Sequence, residues 1–450
     1  MKNAARLLFI CLLFAAGDAR AQFQNHEMML LAGDNAAVLA ADPALRSDFF
    51  QYMARPFRDR TERLHSARVE TLQMDLAVDD ESGRLTLENW GDNRADIRPG
   101  APMLKVAAGG LSGTTYNSAG IKDKEYSGEA GGAYVRFWTF EAEASQLRQE
   151  AAGSASPGED KKSGAGAAIS LGGEGARLGL HANTNTAKRA SSGLELPNTS
   201  AGAALAFRSG IVDVGFTADY VNRGMKAAAG ALEIKRSGPL LGVQTMIKPH
   251  KSVTGALRAS VSNLSGDRTS GGGKSNVTSA NVELGTRLEW KPEGTPLTLA
   301  MGYEKLDYIQ GNKGKKAESQ HRLKTLAASF RFFDGRFLLG AQVEELTLSY
   351  DVYNNNVFSG THDDNSCVTM AGGAEVWLLP WFAVRGSVKR MDFQDDLTKV
   401  ETFYNSVAAG AGLKVQNLSL DVTARKIMGD SEVTKQDEFS GVKAALAYKF

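Results

Sequence analysis

The sequence has 450 residues, of which 42% are hydrophobic and 23% are charged, and its formal net charge is +1 at pH 7. A near-neutral charge argues against nucleic acid as a partner, and a mean hydropathy of −0.26 excludes a helical membrane protein. The 48 glycines and 11 prolines are typical of many twisted strands joined by tight turns, because proline removes a hydrogen-bond donor from the strand ladder.

The amino terminus has the pattern of a secretion signal. Lys2 and Arg6 precede an apolar stretch from Leu7 to Ala16, and the run Ala19 to Ala21 is a small-x-small cleavage site. We therefore expect an exported protein that is cleaved after Ala21. No later run approaches the roughly 20 apolar residues that a membrane helix requires.

Residues 22–129 differ from the rest of the chain and predict a small helix and hairpin. Asp42 and Pro43 form a helix start that leads into Ala44 to Met53. The alternating residues 72–78 and the turn at 79–84 then predict a hairpin. Such a segment plugs the lumen of a barrel, covers its periplasmic mouth, or adds a pair of strands. We favour the plug or the periplasmic cover.

Residues 130–450 show runs of alternating character that predict an all-β fold. In the run from Val282 to Lys291, apolar Val282, Leu284, Leu288 and Trp290 alternate with charged side chains. Short turns and longer polar segments alternate between these runs, as in bacterial outer-membrane barrels. We therefore predict a closed antiparallel transmembrane β-barrel of about 16 strands, within a range of roughly 14–18.

The final strand has the features of a membrane strand. In the run from Val442 to Phe450, one face carries Val442, Leu446, Tyr448 and Phe450, and the other carries lysines and alanines. Other aromatic residues near predicted strand ends indicate an interfacial girdle, with hydrophobic core as the alternative; they include Trp290, Phe330, Phe332, Trp377, Trp381 and Phe382.

The terminal Phe450, with its alternating strand, resembles the assembly signal of bacterial outer-membrane porins. That resemblance implies an outer-membrane location, contact with outer-membrane lipid, recognition of Tyr448 and Phe450 by the barrel-assembly machinery, and association as a homotrimer. The segment from Gly33 to Leu45 is similar to the amino-terminal segment of the long-chain fatty-acid transporter family, although Asp42 stands where that family usually has asparagine. This second resemblance implies an amino-terminal plug and a lateral opening for hydrophobic compounds.

Strand parity also predicts which charged residues line the lumen. Basic candidates outnumber acidic ones, which predicts a mild preference for anions because rings of like charge set the barrier for passing ions. Pairing of these charges across strands is the alternative. The pore-lining candidates are Arg177, Arg258, Arg287, Arg331, Arg385, Lys389, Arg425, Lys443, Glu283, Glu289, Glu375 and Asp421.

Motifs for catalysis are not evident in the sequence. The run from Gly271 to Ser275 is similar to a phosphate-binding loop, but Arg268 occupies the position of its first glycine. We expect no enzyme activity, no catalytic residue, no metal and no cofactor. The predicted function is passive diffusion of small solutes across the outer membrane, and two alternatives stay open: a transporter for hydrophobic compounds, and a structural or adhesive barrel that binds partners through its loops.

Overall fold

The computed structural model describes residues 100–116, 122–138, 140–153, 158–172, 175–189, 194–227, 232–270, 272–312, 315–333, 336–354, 357–395, 400–431 and 437–450. These residues form strands and turns and contain no α-helix, so the all-β prediction is confirmed. The strands are β1 (Gly100–Tyr116), β2 (Lys122–Trp138), β3 (Phe140–Gly153), β4 (Gly158–Gly172), β5 (Ala176–Arg189), β6 (Leu194–Ser209), β7 (Val212–Lys226), β8 (Leu232–His250), β9 (Val253–Ser270), β10 (Gly273–Trp290), β11 (Leu297–Asn312), β12 (Lys315–Phe332), β13 (Phe337–Asn354), β14 (Val357–Leu379), β15 (Phe382–Asp395), β16 (Val400–Val415), β17 (Leu418–Ser431) and β18 (Asp437–Lys449).

The 18 strands form one antiparallel sheet in which each strand pairs with its neighbours in the sequence. The first strand also pairs with the last, so that Leu104 lies opposite Tyr448 and Gly110 lies opposite Val442. The sheet therefore returns to its own first strand, and the described strands have no unpaired edge at which another chain would add.

The barrel begins earlier in the chain than the sequence predicts. Strands β3 to β18 lie in the region predicted as barrel, whereas β1 and residues 122–129 of β2 lie within residues 22–129. Small residues such as Gly109, Gly110 and Gly131 weaken the alternation there, because they contribute little hydrophobic contrast between the two faces. Residues 100–129 therefore belong to the sheet, and the role of the helix and hairpin predicted upstream stays a prediction. The predicted helix and hairpin of residues 42–87 lie outside the described residues.

The strands are longer than a membrane crossing requires. A tilted transmembrane strand needs about 9–11 residues, whereas the strands here have 13 to 23 residues. Some of the longer polar segments are partly strand: the sequence predicts a loop over residues 146–163, but Glu150 pairs there with Glu159. Backbone pairing continues past the apolar stretch because the ladder hydrogen bonds do not depend on which side chains flank them.

Short connections join the strands at both ends of the barrel; we call the end at which β1 begins the turn end and the opposite end the loop end. Two-residue turns occupy residues 210–211, 251–252, 380–381 and 416–417. Gly210 and Gln416 have φ angles of 54° and 52°, the left-handed conformation that a tight hairpin requires. The sequence predicts tight turns at 172–175, 209–210, 248–251, 291–296, 333–336, 379–381 and 415–417, which are nearly the positions of the observed connections.

Side chains alternate in exposure along each strand. In β12, Leu326, Phe330 and Phe332 are exposed, whereas Ala327 between them is buried. We call the face with the exposed large apolar side chains the outer face, and the other the inner face. Among the described residues, no helix is long and apolar enough to cross a membrane.

Candidate functional site

The outer face carries a continuous belt of exposed apolar side chains near the turn end. We call it the apolar belt. It includes members from nearly every strand, among them Leu104, Phe137, Phe140, Ile169, Leu180, Leu205, Phe216, Leu241, Leu257, Leu284, Met301, Leu326, Leu339, Val388, Val407, Val422 and Leu446. An exposed apolar surface that encircles a molecule would be unfavourable in water. Its place on a closed antiparallel barrel is the arrangement of an outer-membrane-type transmembrane β-barrel.

Aromatic rings border the apolar belt at the turn end. Phe330 and Phe332 stack with centroids 6.2 Å apart, and Trp381 contacts Phe382 at 6.1 Å. The predicted assembly signal lies at the same level, where Tyr448 and Phe450 are exposed and make an edge-to-face contact at 5.0 Å. Amphipathic rings favour the headgroup level of a bilayer. Trp377 differs from the girdle prediction, because it is buried on the inner face.

The inner face of β6 to β10 combines short polar side chains with aliphatic ones. Val221, Leu240 and Leu264 form a buried cluster. Beside it, Ser262 lies opposite both Leu240 and Asn281 in the strand register. Both polar residues are buried, and the Ser262 hydroxyl and the Asn281 carbonyl oxygen have no protein hydrogen-bond partner. This part of the wall is therefore shielded from bulk water although it belongs to the inner face.

A buried ion pair joins β14 to β15 on the inner face near the turn end. Arg385 donates from Nε to Oε2 of Glu375 over 2.6 Å, and the two side chains are 2% and 1% exposed. Trp377 donates from Nε1 to the other carboxylate oxygen, Oε1, also over 2.6 Å. Both carboxylate oxygens of Glu375 thus accept charge-assisted or indole hydrogen bonds. The register sets this contact, because Glu375 and Arg385 lie directly opposite each other.

A glycine on the next strand makes room for the guanidinium of this pair. A Cβ atom added at Gly412 in β16 would lie 2.7 Å from Nη2 of Arg385 and 3.0 Å from Nη1. No real Cβ contact is so short, so any larger residue would displace the guanidinium. The side chain of Arg385 therefore extends across the surface of β16 as well as toward Glu375.

Two of the twelve predicted pore-lining residues have described side chains. Glu375 and Arg385 lie on the inner face and pair with each other, so together they add no net charge to the wall. Their role in permeation stays a prediction. The other ten side chains lie outside the described part of the structure: Arg177, Arg258, Arg287, Arg331, Lys389, Arg425, Lys443, Glu283, Glu289 and Asp421. The contacts of this pair with Trp377 and Gly412 are not predicted from the sequence.

The outer face also holds a shallow groove of about 940 Å³ across β16, β17, β18, β1 and β2. Small and aliphatic residues line it, among them Val407, Ala409, Ala424 and Val442. Because these residues belong to the outer face, the groove faces the surroundings of the barrel and is separate from the lumen. Within the described residues, no group of three or more His, Cys, Asp or Glu side chains is arranged to hold a metal ion.

No protein family matches this sequence, and the comparison with characterised proteins finds no sequence match. Solved structures with a similar fold include the copper transporter OprC, with a TM-score of 0.42 and 9% identity over 78% of this chain and 81% of that one. They also include OccK7 of Pseudomonas aeruginosa, with a TM-score of 0.38 and 10% identity over 78% and 98% of the two chains. A FadL homologue of the same organism has a TM-score of 0.34 and 10% identity over 79% and 93%. Similarity at this level carries no information about the function of this chain.

Proposed function

We propose that this chain is an outer-membrane channel that passes small solutes by passive diffusion. The observation that carries the proposal is the strand number. Barrel diameter grows with the number of strands, and barrels of about 16–18 strands have an interior wide enough for an aqueous channel. The sheet here has 18 strands and its first and last strands pair. The apolar belt supports the membrane position of this barrel.

The same proposal includes residues 22–99 as a segment that occupies the lumen or covers its periplasmic mouth. Two observations support it. The chain enters β1 at Gly100 from the turn end, which is the periplasmic end in outer-membrane barrels. Inner-face side chains such as Val221 and Leu264 are only 1% exposed, and a segment held inside the lumen would shield the wall in this way.

The lumen charge determines the proposed anion preference. Because Arg385 is neutralised by Glu375, the preference has to come from the remaining basic candidates. Arg287 in β10 lies next to exposed Leu288, and Arg425 in β17 lies next to exposed Ala424. Because neighbouring residues of a strand point to opposite faces, both arginines are predicted to point inward. Their charges would then face ions in transit, whereas Arg390, exposed on the outer face, would not.

Single-channel recording in planar bilayers tests the proposal. The purified full-length protein is expected to give stable ohmic steps with a mild anion preference. Replacement of Arg287 and Arg425 by glutamate should move the reversal potential in a salt gradient toward cation selectivity, and the control variant Arg390→Glu should leave it unchanged. A bilayer that stays silent with folded protein would rule out the channel.

Deletion of residues 22–99, with the signal peptide retained, tests the second part of the proposal. A segment in the lumen predicts a larger unit conductance for the shortened chain, because more of the cross-section is free for ions. Circular dichroism has to show the same strand content in both proteins. A conductance equal to that of the full chain would place the segment outside the permeation path.

A further inference from the structure

The outer face changes from apolar to polar at a similar level on each strand, but the kind of polar residue differs around the barrel. On β4 to β10 the first polar residue beyond the apolar belt is neutral: Ser163, Thr184, Thr199, Asn222, Ser237, Asn263 and Thr278. Among the described residues, cations occupy this level only between β11 and β17: Lys305, Lys324, Arg390 and Lys426. Positive charge at the belt boundary is therefore confined to one side of the molecule.

The densest group of these cations lies on β11 and β12. Lys305 pairs directly with Arg322, and Lys324 lies two residues along the same face of β12. Directly opposed side chains in a sheet have Cβ atoms about 4.5–5.5 Å apart, so the three cations form one cluster. We call Lys305, Arg322 and Lys324 the cationic patch.

Each lysine of the cationic patch has a carboxylate neighbour, and the arginine has a neutral one. Lys305 lies 2.6 Å from Asp307, and Lys324 lies 3.0 Å from Glu345. Arg322 donates from Nη2 to the amide oxygen of Gln320 over 2.8 Å, which leaves its positive charge uncompensated by a carboxylate in this contact. A planar guanidinium is well suited to bind two oxygens of a phosphate group. Arg322 therefore provides the uncompensated positive charge of the cationic patch, whereas Asp307 and Glu345 balance the two flanking lysines.

The surroundings of the cationic patch indicate an amphiphile. Immediately toward the belt on the same face, Leu326 is 59% exposed and Met301, its register partner, is 55% exposed. A molecule bound here would contact cations with one part and apolar side chains with the next. That order matches a lipid, with a phosphorylated headgroup above its acyl chains, whereas a soluble phosphate would gain nothing from Leu326 and Met301.

We propose that the cationic patch binds the phosphate group of a lipid in the outer leaflet, with the acyl chains against Met301 and Leu326. The inference rests on the proposed membrane position of the barrel and on the assignment of the loop end to the cell exterior. It is independent of whether the lumen conducts. Cations that lie above an apolar surface and reach toward lipid headgroups contribute to membrane anchoring in this way.

A lipid-binding measurement on the full-length protein in detergent tests the proposal. The probe is a diphosphorylated glycolipid with saturated acyl chains, measured by native mass spectrometry, and compared with the same glycolipid without phosphates. The test variant is R322Q/K324Q. The control variant is K161Q/K188Q, because these two lysines are also exposed register partners on the outer face but are separated from the belt by hydroxyl residues.

The phosphorylated glycolipid is expected to bind the test variant at least about 10-fold more weakly than the original protein. The control variant should bind it within about 2-fold, and the lipid without phosphates should not distinguish the three proteins. Equal binding by the test variant, or an equal loss in the control, would overturn the proposal. Displacement of the lipid by equimolar inorganic phosphate would also overturn it, because the site would then recognise a free anion. Unchanged unit conductance of the test variant is expected, so failure here is distinguishable from failure of the channel proposal.

Discussion

Replacement of Arg385 by alanine leaves the carboxylate of Glu375 buried without its guanidinium partner. The two side chains are 2% and 1% exposed, so water cannot readily replace the lost contact. Removing one member of a buried ion pair typically costs about 3–5 kcal/mol. We expect a decrease of this size in the free energy of unfolding. Glu375→Gln should also be destabilising, because it leaves the Arg385 guanidinium buried without a carboxylate, although the amide keeps one oxygen that can accept from Trp377.

The exposed pair formed by Lys324 and Glu345 is the matched control for this prediction. It also joins neighbouring strands of the barrel, with a distance of 3.0 Å, but its side chains are 60% and 47% exposed. Exposed pairs contribute about 0–1 kcal/mol. Lys324→Ala should therefore change the free energy of unfolding by no more than about 1 kcal/mol.

Urea unfolding of the barrel in detergent micelles or vesicles, followed by tryptophan fluorescence and by heat-modifiable gel migration, measures both effects. The double variant in which methionine replaces Glu375 and Arg385 should be less destabilised than Arg385→Ala, because no unpaired charge stays buried. Trp377 loses its acceptor in that variant, which costs about 1–3 kcal/mol. Equal effects of Arg385→Ala and Lys324→Ala would refute the reasoning, since burial would then make no difference to the pair.

Two further predictions concern single positions of the wall. Gly412→Ala should destabilise the barrel, because the added Cβ would lie 2.7 Å from Nη2 of Arg385. Gly386→Ala in β15 should be tolerated, because the atom nearest to its added Cβ is the carbonyl oxygen of Ala408 at 3.8 Å. Urea unfolding compares the two variants. Deletion of Phe450 should reduce the folded fraction recovered from outer membranes, because the ring is exposed at the turn end and contacts Tyr448. Quantification of heat-modifiable protein in membrane fractions would contradict this if the folded fraction were unchanged.

The sequence predicts most of the barrel because lipid imposes a simple rule on each strand. Residues that face hydrocarbon have to be apolar, so runs such as Val282 to Trp290 alternate clearly, and the structure places Val282, Leu284, Leu288 and Trp290 on the exposed face. The rule loses its force in β1 and β2, where glycine and alanine are frequent. Those two strands are recognisable only through their pairing with β18 and β3.

The sequence does not show which charges meet. Parity assigns Glu375 and Arg385 to the same face, but their contact depends on the register between β14 and β15, which is set by the turn at residues 380–381 together with the register shift between Trp377 and Leu379. The indole donor of Trp377 and the space above Gly412 depend on side-chain direction and on the third strand. These are relations between strands, and alternation within one strand carries no information about them.

The extent of the apolar belt explains why charge on a strand is a poor guide to charge in the lumen. Beyond the belt, polar residues are tolerated on both faces, because the strands continue past the hydrocarbon. In β12 the exposed outer face carries Arg322 and Lys324 above Leu326, Phe330 and Phe332. An inward position can therefore be assigned only by counting in steps of two from an exposed apolar residue of the same strand. Charges on the inner face determine ion selectivity only where no carboxylate neutralises them, and Arg385, which pairs with Glu375, is neutralised.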